Sequence, residues 1–175
     1  VLAGHMHGSI GGAGTVLCME WAGEAVEVGA KVTNIRPGDR IMGSSAAAAA
    51  EYTLADRGRV YPIPAGMSFD RAVTLPVALQ TMHDAVVVNG RLKPGESVLV
   101  MGASSGVGLM AMLIAKKMGA GMVAGSSTNA QRRARLGEFG ADLAVDTSDP
   151  SWPEHVLKAT GGKGVDLVID QLSGD

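Results

Sequence analysis

The stretch VLVMGASSGVG, residues 98–108, runs from apolar residues straight into glycine and serine. Gly106 and Gly108 carry no side chain, so phosphate oxygens can approach the backbone there. If a helix opens in this segment, its first N–H groups lack intrahelical partners and its positive dipole end faces the same place. Together these properties suit the pyrophosphate of a dinucleotide. A glycine motif alone also fits a plain tight turn, so the reading depends on a strand before it and a helix after it. About 20 residues past such a loop, a carboxylate usually holds a ribose 2′-hydroxyl. Here that position reads Gly125-Ser126-Ser127-Thr128, and Arg132 and Arg133 follow. Small hydroxyls beside a guanidinium suit a 2′-phosphate, because arginine makes paired, charge-assisted bonds to it. The alternative for both arginines is solvated helix surface. These residues favour NADPH over NADH.

Metal donors are sparse. Cys18 is the lone cysteine, which excludes a disulfide framework or a cysteine-rich zinc site within the chain and fits a reducing compartment. His5 and His7 stand close together in a glycine-rich stretch, where plain loop is the better reading, and His83 reads as structural.

The elements that must position the loop follow from periodicity. A strand is expected over 97–101. Val107, Met110, Ile114 and Met118 recur at helical spacing behind it, and Gly119 stops that helix. MVAG is a second strand. Thr128 and Gln131 form a capping-box pair for a helix through Glu138. DLAVD is a third strand, Ser151 and Glu154 cap a further helix, and GVDLVID is a fourth strand. Alternating strands and helices imply a parallel sheet with right-handed crossovers. Upstream, the chain reads as β. Residues 23–32 alternate, Pro37-Gly38-Asp39 is a turn before a strand, and 51–56 and 59–64 are short extended pieces. The alanine run within 44–50 is too short to nucleate a helix and reads as loop. Ser68 opens a short helix, and Pro76 starts another that ends at Asn89-Gly90.

Bulk properties narrow the class. With 46% hydrophobic and 18% charged residues, a packed core is expected and disorder is not. A net charge of −2 gives no electrostatic case for nucleic acid or an anionic membrane. No apolar run reaches the length of a membrane span, so the expected setting is cytoplasmic.

Several ordered phrases resemble the medium-chain dehydrogenase/reductase superfamily. MEWAGEAVEVGAKVTNIRPGDRIMG resembles its GHE-type segment and the following VGxxVxxxxxGDRV phrase. AEYTLADRGRVYPIPAGMSFDRAVTLP, LQTMHDAVV, GASSGVG and LGEFGAD follow in the family's order. The resemblance implies an α/β protein: a Rossmann doubly wound parallel sheet over 80–175, preceded over 1–79 by part of a β-rich, chaperonin-10-like catalytic domain. Both ends read as cut within the family's longer chain. The resemblance also implies zinc ligands at two positions that hold Met19 and Val77 here, and a thioether is a poor substitute for imidazole or thiolate. The zinc-independent, quinone oxidoreductase-like branch fits best, with no metal site. Its members pass hydride from NADPH to a quinone or an α,β-unsaturated carbonyl, a small-molecule substrate, and the intact protein is expected to be a homodimer. By the same resemblance Thr81 lies near the nicotinamide, and Ser104, Ser105, Gly106 and Val107 form the pyrophosphate loop. Ser126, Ser127 and Arg132 form the 2′-phosphate pocket, and Thr147 stands where relatives often carry a tyrosine. Gln171 lies at the switch point. No residue is assigned as catalytic acid.

Other readings stay open. A non-catalytic, cofactor-binding relative of crystallin or vesicle-protein type keeps the same motifs, as does an alcohol dehydrogenase of the same superfamily. GASSGVG also resembles the short-chain dehydrogenases, but these need a tyrosine with a lysine four residues on. Here Tyr52 is followed by Asp56 and Tyr61 by Ala65.

Overall fold

A tight turn at Pro37-Gly38-Asp39 organises the first sheet. Gly38 takes φ +90°, and the Asp39 carboxylate accepts the Arg36 amide at 2.8 Å. The computed structural model describes residues 16–172, so His5 and His7 lie outside the described residues. The chain divides into one compact unit ending at Val77 and another beginning at Ala78. In the first, β1 (Glu20–Glu24), β2 (Arg40–Ser44) and β3 (Val60–Pro62) form an antiparallel sheet in the order β1-β2-β3. The short helix α1 (Phe69–Ala72) follows, and Met42, Ile63 and Ala72 form a small buried cluster.

Two expected extended pieces are absent. Residues 25–32 form no strand: the ladder closes where Ala25 donates to the Asp39 carbonyl and Gly38 donates back to Ala25. Residues 51–56 also stay irregular, with Tyr52 and Leu54 exposed, and Asp56 instead caps the 3₁₀ turn Arg57–Arg59. An alternating pattern shows which side chains share a face, but not whether a neighbouring strand exists. The alanine run remains irregular, as a stretch too short to nucleate a helix should.

Helix α2 (Pro76–His83) runs on into a π-helical turn over Asp84–Asn89, where Gly90 ends it. Four strands then appear on the expected schedule: β4 (Ser97–Val100), β5 (Met122–Ser126), β6 (Leu143–Val145) and β7 (Leu167–Ile169). All pair in parallel, in the order β6-β5-β4-β7. The chain therefore winds outward from β4 to β6 and returns to β4's other side, a doubly wound, Rossmann-like order with its switch point at the carboxyl end of β4. Helix α3 (Gly106–Lys117) joins β4 to β5. It buries Ala111, Met112 and Ala115 in a cluster with Val98, Val100, Val123 and Leu136.

Two capping expectations are corrected. The helix after β5 is one turn, α4 (Ala130–Arg133), followed by a separate 3₁₀ turn Leu136–Phe139, rather than one helix through Glu138. Its cap is Asn129, whose Oδ1 accepts the Arg132 amide at 3.0 Å, and not Thr128. Helix α5 (Trp152–Ala159) starts at Ser151, but the Ser151 hydroxyl donates to Asp149 at 2.8 Å instead of capping the helix. Among the described residues, no helix is long and apolar enough to cross a membrane.

Candidate functional site

The switch point is built from the residues where β4 ends. Gly102 takes φ +66°, a backbone region that suits glycine, and turns the chain out of the strand. Ser105 caps α3. Its Oγ accepts the Gly108 amide at 3.1 Å and donates to the Gly102 carbonyl at 2.9 Å, so one hydroxyl ties both sides of the loop together. A cap of this kind contributes about 1 kcal/mol. The first intrahelical bond runs from the Leu109 amide to the Ser105 carbonyl. The amides of Gly106 and Val107 are thus left at the open helix end, where the macrodipole carries roughly half a positive charge.

The two glycines of the loop differ in kind. A Cβ on Gly106 would meet nothing within 4 Å, so this position faces open space. A Cβ on Gly108 would lie 2.6 Å from the Gly102 carbonyl oxygen and 2.7 Å from the Ala103 Cα. Gly108 is therefore a packing residue that lets the start of α3 lie against the Gly102-Ala103 turn that leaves β4, while Gly106 faces open space. The sequence assigns both to phosphate access; at Gly108 the missing Cβ is needed for packing, and open space is found at Gly106.

The serines also divide. Ser126 is fully buried, and its Oγ accepts the Gly102 amide at 3.0 Å, so it braces the loop from behind. Ser127 stands at the end of β5, 6% exposed, with its Oγ 2.9 Å from that of Ser104. Gln171, just past β7, donates to the Met101 carbonyl at 3.2 Å, and its Oε1 lies 3.3 Å from Ser105 Oγ as the second, longer acceptor of the one hydroxyl proton. It pins the switch point across two strand ends. Thr81 is exposed on α2, and no hydrogen bond ties it to the loop. Thr147 is half-buried two residues beyond β6.

The neighbouring arginines part in the same way. Arg133 is ion-paired to Asp146 at 2.8 Å and donates to the Ser127 carbonyl at 2.8 Å. Arg135 pairs with Glu138 at 2.8 Å, which holds the Glu138 carboxyl below the usual carboxylate range. Arg132 is exposed and has no carboxylate partner among the described residues. It lines a hollow of about 350 Å³ with Ser104, Leu109, Gln131, Arg135, Leu136 and Phe139. Ser104 thus connects the glycine loop to that hollow. Asp146, Asn129 and the role of Arg133 are not visible in the sequence, because the Arg133–Asp146 pair joins the last residue of α4 to the end of β6.

In the first unit, Glu20 follows Met19 and its carboxylate accepts the Val77 amide at 2.8 Å, near the start of α2. Met19 is 47% exposed, and Cys18 is exposed with φ +69°.

The family model for zinc-binding dehydrogenases matches residues 106–175. Quinone oxidoreductase-like protein 2 of Mus musculus is 34% identical over 159 residues, covering 90% of this chain and 45% of that protein. Highly-reducing polyketide synthase 1 of Aureobasidium melanogenum is 34% identical over 159 residues, covering 90% of this chain and 7% of the synthase. The crystal structure of Escherichia coli quinone oxidoreductase complexed with NADPH superposes with a TM-score of 0.81 at 28% identity, covering 93% of this chain and 50% of that one. The chain thus spans about half the length of these oxidoreductases and a small part of the synthase.

Both groups that such relatives bring to mind can be tested against the residues present. A dinucleotide fits: the loop offers two unpaired amides, an open glycine and an unpartnered arginine beside a hollow. Zinc does not fit the described residues. Met19 offers a thioether, Val77 a hydrocarbon, and the Glu20 carboxylate is engaged by a backbone amide. No three His, Cys, Asp or Glu side chains converge among the described residues.

Proposed function

From the premise that the chain belongs to the medium-chain dehydrogenase/reductase superfamily, on its quinone oxidoreductase-like branch, we propose that it serves an NADPH-dependent oxidoreductase that reduces a quinone or an activated alkene without zinc. One observation carries the reading. The helix that opens at the switch point presents free amides at Gly106 and Val107 with open space at Gly106, and Ser104 of the same loop lines a hollow together with the unpaired guanidinium of Arg132.

The residues divide the work. The Gly106 and Val107 amides bind the pyrophosphate, and the N-terminal dipole of α3 favours its charge. Ser105, Ser126 and Gln171 hold that loop in shape without needing to touch the ligand. Ser104, Ser127 and Arg132 receive the second ribose and its 2′-phosphate, with Thr147 close to the same strand ends. Thr81 lines the nicotinamide side. The nicotinamide supplies the hydride, so the chain need provide no covalent nucleophile. Its contribution is orientation and exclusion of water around the acceptor. Charge developing on the acceptor carbonyl is met by a donor outside these residues or by solvent. Two of the relatives named above carry quinone oxidoreductase in their names, one of them crystallised with NADPH, and this supports the class of chemistry. A division into a β-rich catalytic part over 1–79 and a cofactor part over 80–175, a homodimer and a cytoplasmic setting belong to the same proposal.

The test is NADPH oxidation by the intact protein against a panel of quinones and enones, before and after dialysis against a chelator. Turnover that survives the chelator is expected. Cofactor binding without turnover on any acceptor would favour a non-catalytic relative, and turnover that needs added zinc would overturn the metal-free step.

A further inference from the structure

We propose that Arg133 makes this rim of the sheet accept a 2′-phosphate by cancelling the charge of Asp146, not by touching the phosphate itself. The inference rests on the cofactor reading above.

Asp146 is placed where it could do harm. Strands β5 and β6 pair in parallel up to Ser126 opposite Val145. The Ser127 amide then donates to the Val145 carbonyl at 3.1 Å. Asp146 is thus the next residue on the strand beside Ser127, about 4.8 Å away at ordinary strand spacing. A carboxylate at the carboxyl edge of this kind of sheet is the usual device for choosing a ribose hydroxyl over a phosphate, since it accepts from the former and repels the latter. Asp146 stands one strand over from the usual place and faces the same rim. It is ionised at neutral pH: bonds from the Ser148 hydroxyl (2.6 Å) and amide (3.0 Å), and then Arg133, hold its carboxyl below the usual range.

Arg133 is committed to that carboxylate. Both of its contacts, to Asp146 Oδ2 and to the Ser127 carbonyl, run through Nη1 at 2.8 Å. The pair is only partly solvated, at 23% and 28% side-chain exposure, so the cancellation is local and not left to salt. The charges at this rim then sort simply. Glu138 answers Arg135, Asp146 answers Arg133, and Arg132 is left as the free positive charge. Without Arg133, the Asp146 carboxylate beside Ser127 would stand uncancelled at the rim that has to receive the phosphate.

The test is a cycle of variants of the intact protein, with NADPH and NADH affinities measured by calorimetry and a melting temperature for each. Arg133→Gln should weaken NADPH about ten-fold and leave NADH unchanged, the size expected of one uncancelled charge facing a phosphate at a partly solvated rim. Asp146→Asn added to Arg133→Gln should restore the wild-type ratio. Arg133→Lys should keep the ratio, because one nitrogen makes both contacts. Asp146→Asn alone should bind NADPH at least as tightly as wild type, and with Arg133→Lys it decides the matter if Arg133→Gln fails to fold. An unchanged ratio in Arg133→Gln, failure of the double variant to restore it, or weaker NADPH binding in Asp146→Asn would overturn the inference and leave the cofactor reading standing. A wild type that binds neither nucleotide, or shows no preference, would overturn the cofactor reading itself.

Discussion

The two sheets of this chain are held by different means. Around β4 and β5, Val98, Val100, Val123 and Met112 are entirely excluded from solvent, and each such side chain contributes roughly 1.5–3 kcal/mol by burial. Around the antiparallel sheet, the buried cluster among the described residues is small: Met42, Ile63 and Ala72. A hollow of about 1140 Å³ opens beside that sheet, and the Trp21 indole N–H is buried without a partner. The site follows the better-packed sheet. A loop that must present bare amides gains nothing from its own hydrogen bonds at those positions, so its shape comes from what lies behind it. Gly108, Ser126 and Gln171 supply that backing. The contrast implies that changes behind the loop act on folding, whereas changes at its open face act on binding.

The sharpest way to break the contrast is the pair of loop glycines. Gly108→Ala sets a methyl against three backbone atoms below 3 Å, and thermal unfolding should show a loss of about 3 kcal/mol. Gly106→Ala should change stability by no more than about 0.5 kcal/mol, yet weaken NADPH binding by at least about ten-fold in calorimetry. Equal melting temperatures for the two variants would remove the distinction. Next in size is the core. Met112→Ala should cost about 2–5 kcal/mol in denaturant unfolding, while Ile63→Ala should fall at the low end of that range or below. Comparable losses would show that the antiparallel sheet is better supported than its burial indicates.

A smaller effect is expected at the free guanidinium. Arg132→Ala should weaken NADPH by about ten-fold and leave NADH and the melting temperature unchanged, as loss of one charge-assisted contact does. An unchanged nucleotide preference would discard its role. The smallest effect is a pH dependence on the sheet's far side. Asp166 accepts from the Ser97 amide at 2.8 Å and hydroxyl at 2.7 Å, which lowers its carboxyl from the ordinary 3.8. A depressed carboxyl contributes stability that is full above its unfolded value and is lost as pH falls through the folded one. Asp166→Asn should therefore flatten the acid limb of the stability profile slightly, and an identical limb would show that the bond is not felt in solution.

Much of this arrangement was legible in the residues. The strand–glycine loop–helix order at 97–118 follows from one apolar run and a helical spacing, and both appear as expected. What sequence could not show depends on pairing in space. Residues 25–32 and 51–56 carry strand-like patterns but find no neighbour to complete a ladder. Arg132 and Arg133 are adjacent and chemically identical, yet one is free and the other is neutralised from the next strand. Ser126 and Ser127 are equally alike and both buried, yet the first bonds the Gly102 amide at the loop's back and the second meets Ser104. Gly106 and Gly108 differ only in which of them faces the Gly102-Ala103 turn.

The most direct test of the dinucleotide site is a titration of isotope-labelled protein with NADPH, following the backbone amide resonances of the loop by NMR. The Gly106 and Val107 amides should shift most, saturate with the affinity found by calorimetry, and stop shifting when the added ligand lacks the pyrophosphate. Saturable NADPH binding that leaves both amides unmoved, or no binding at all, would contradict the site described here.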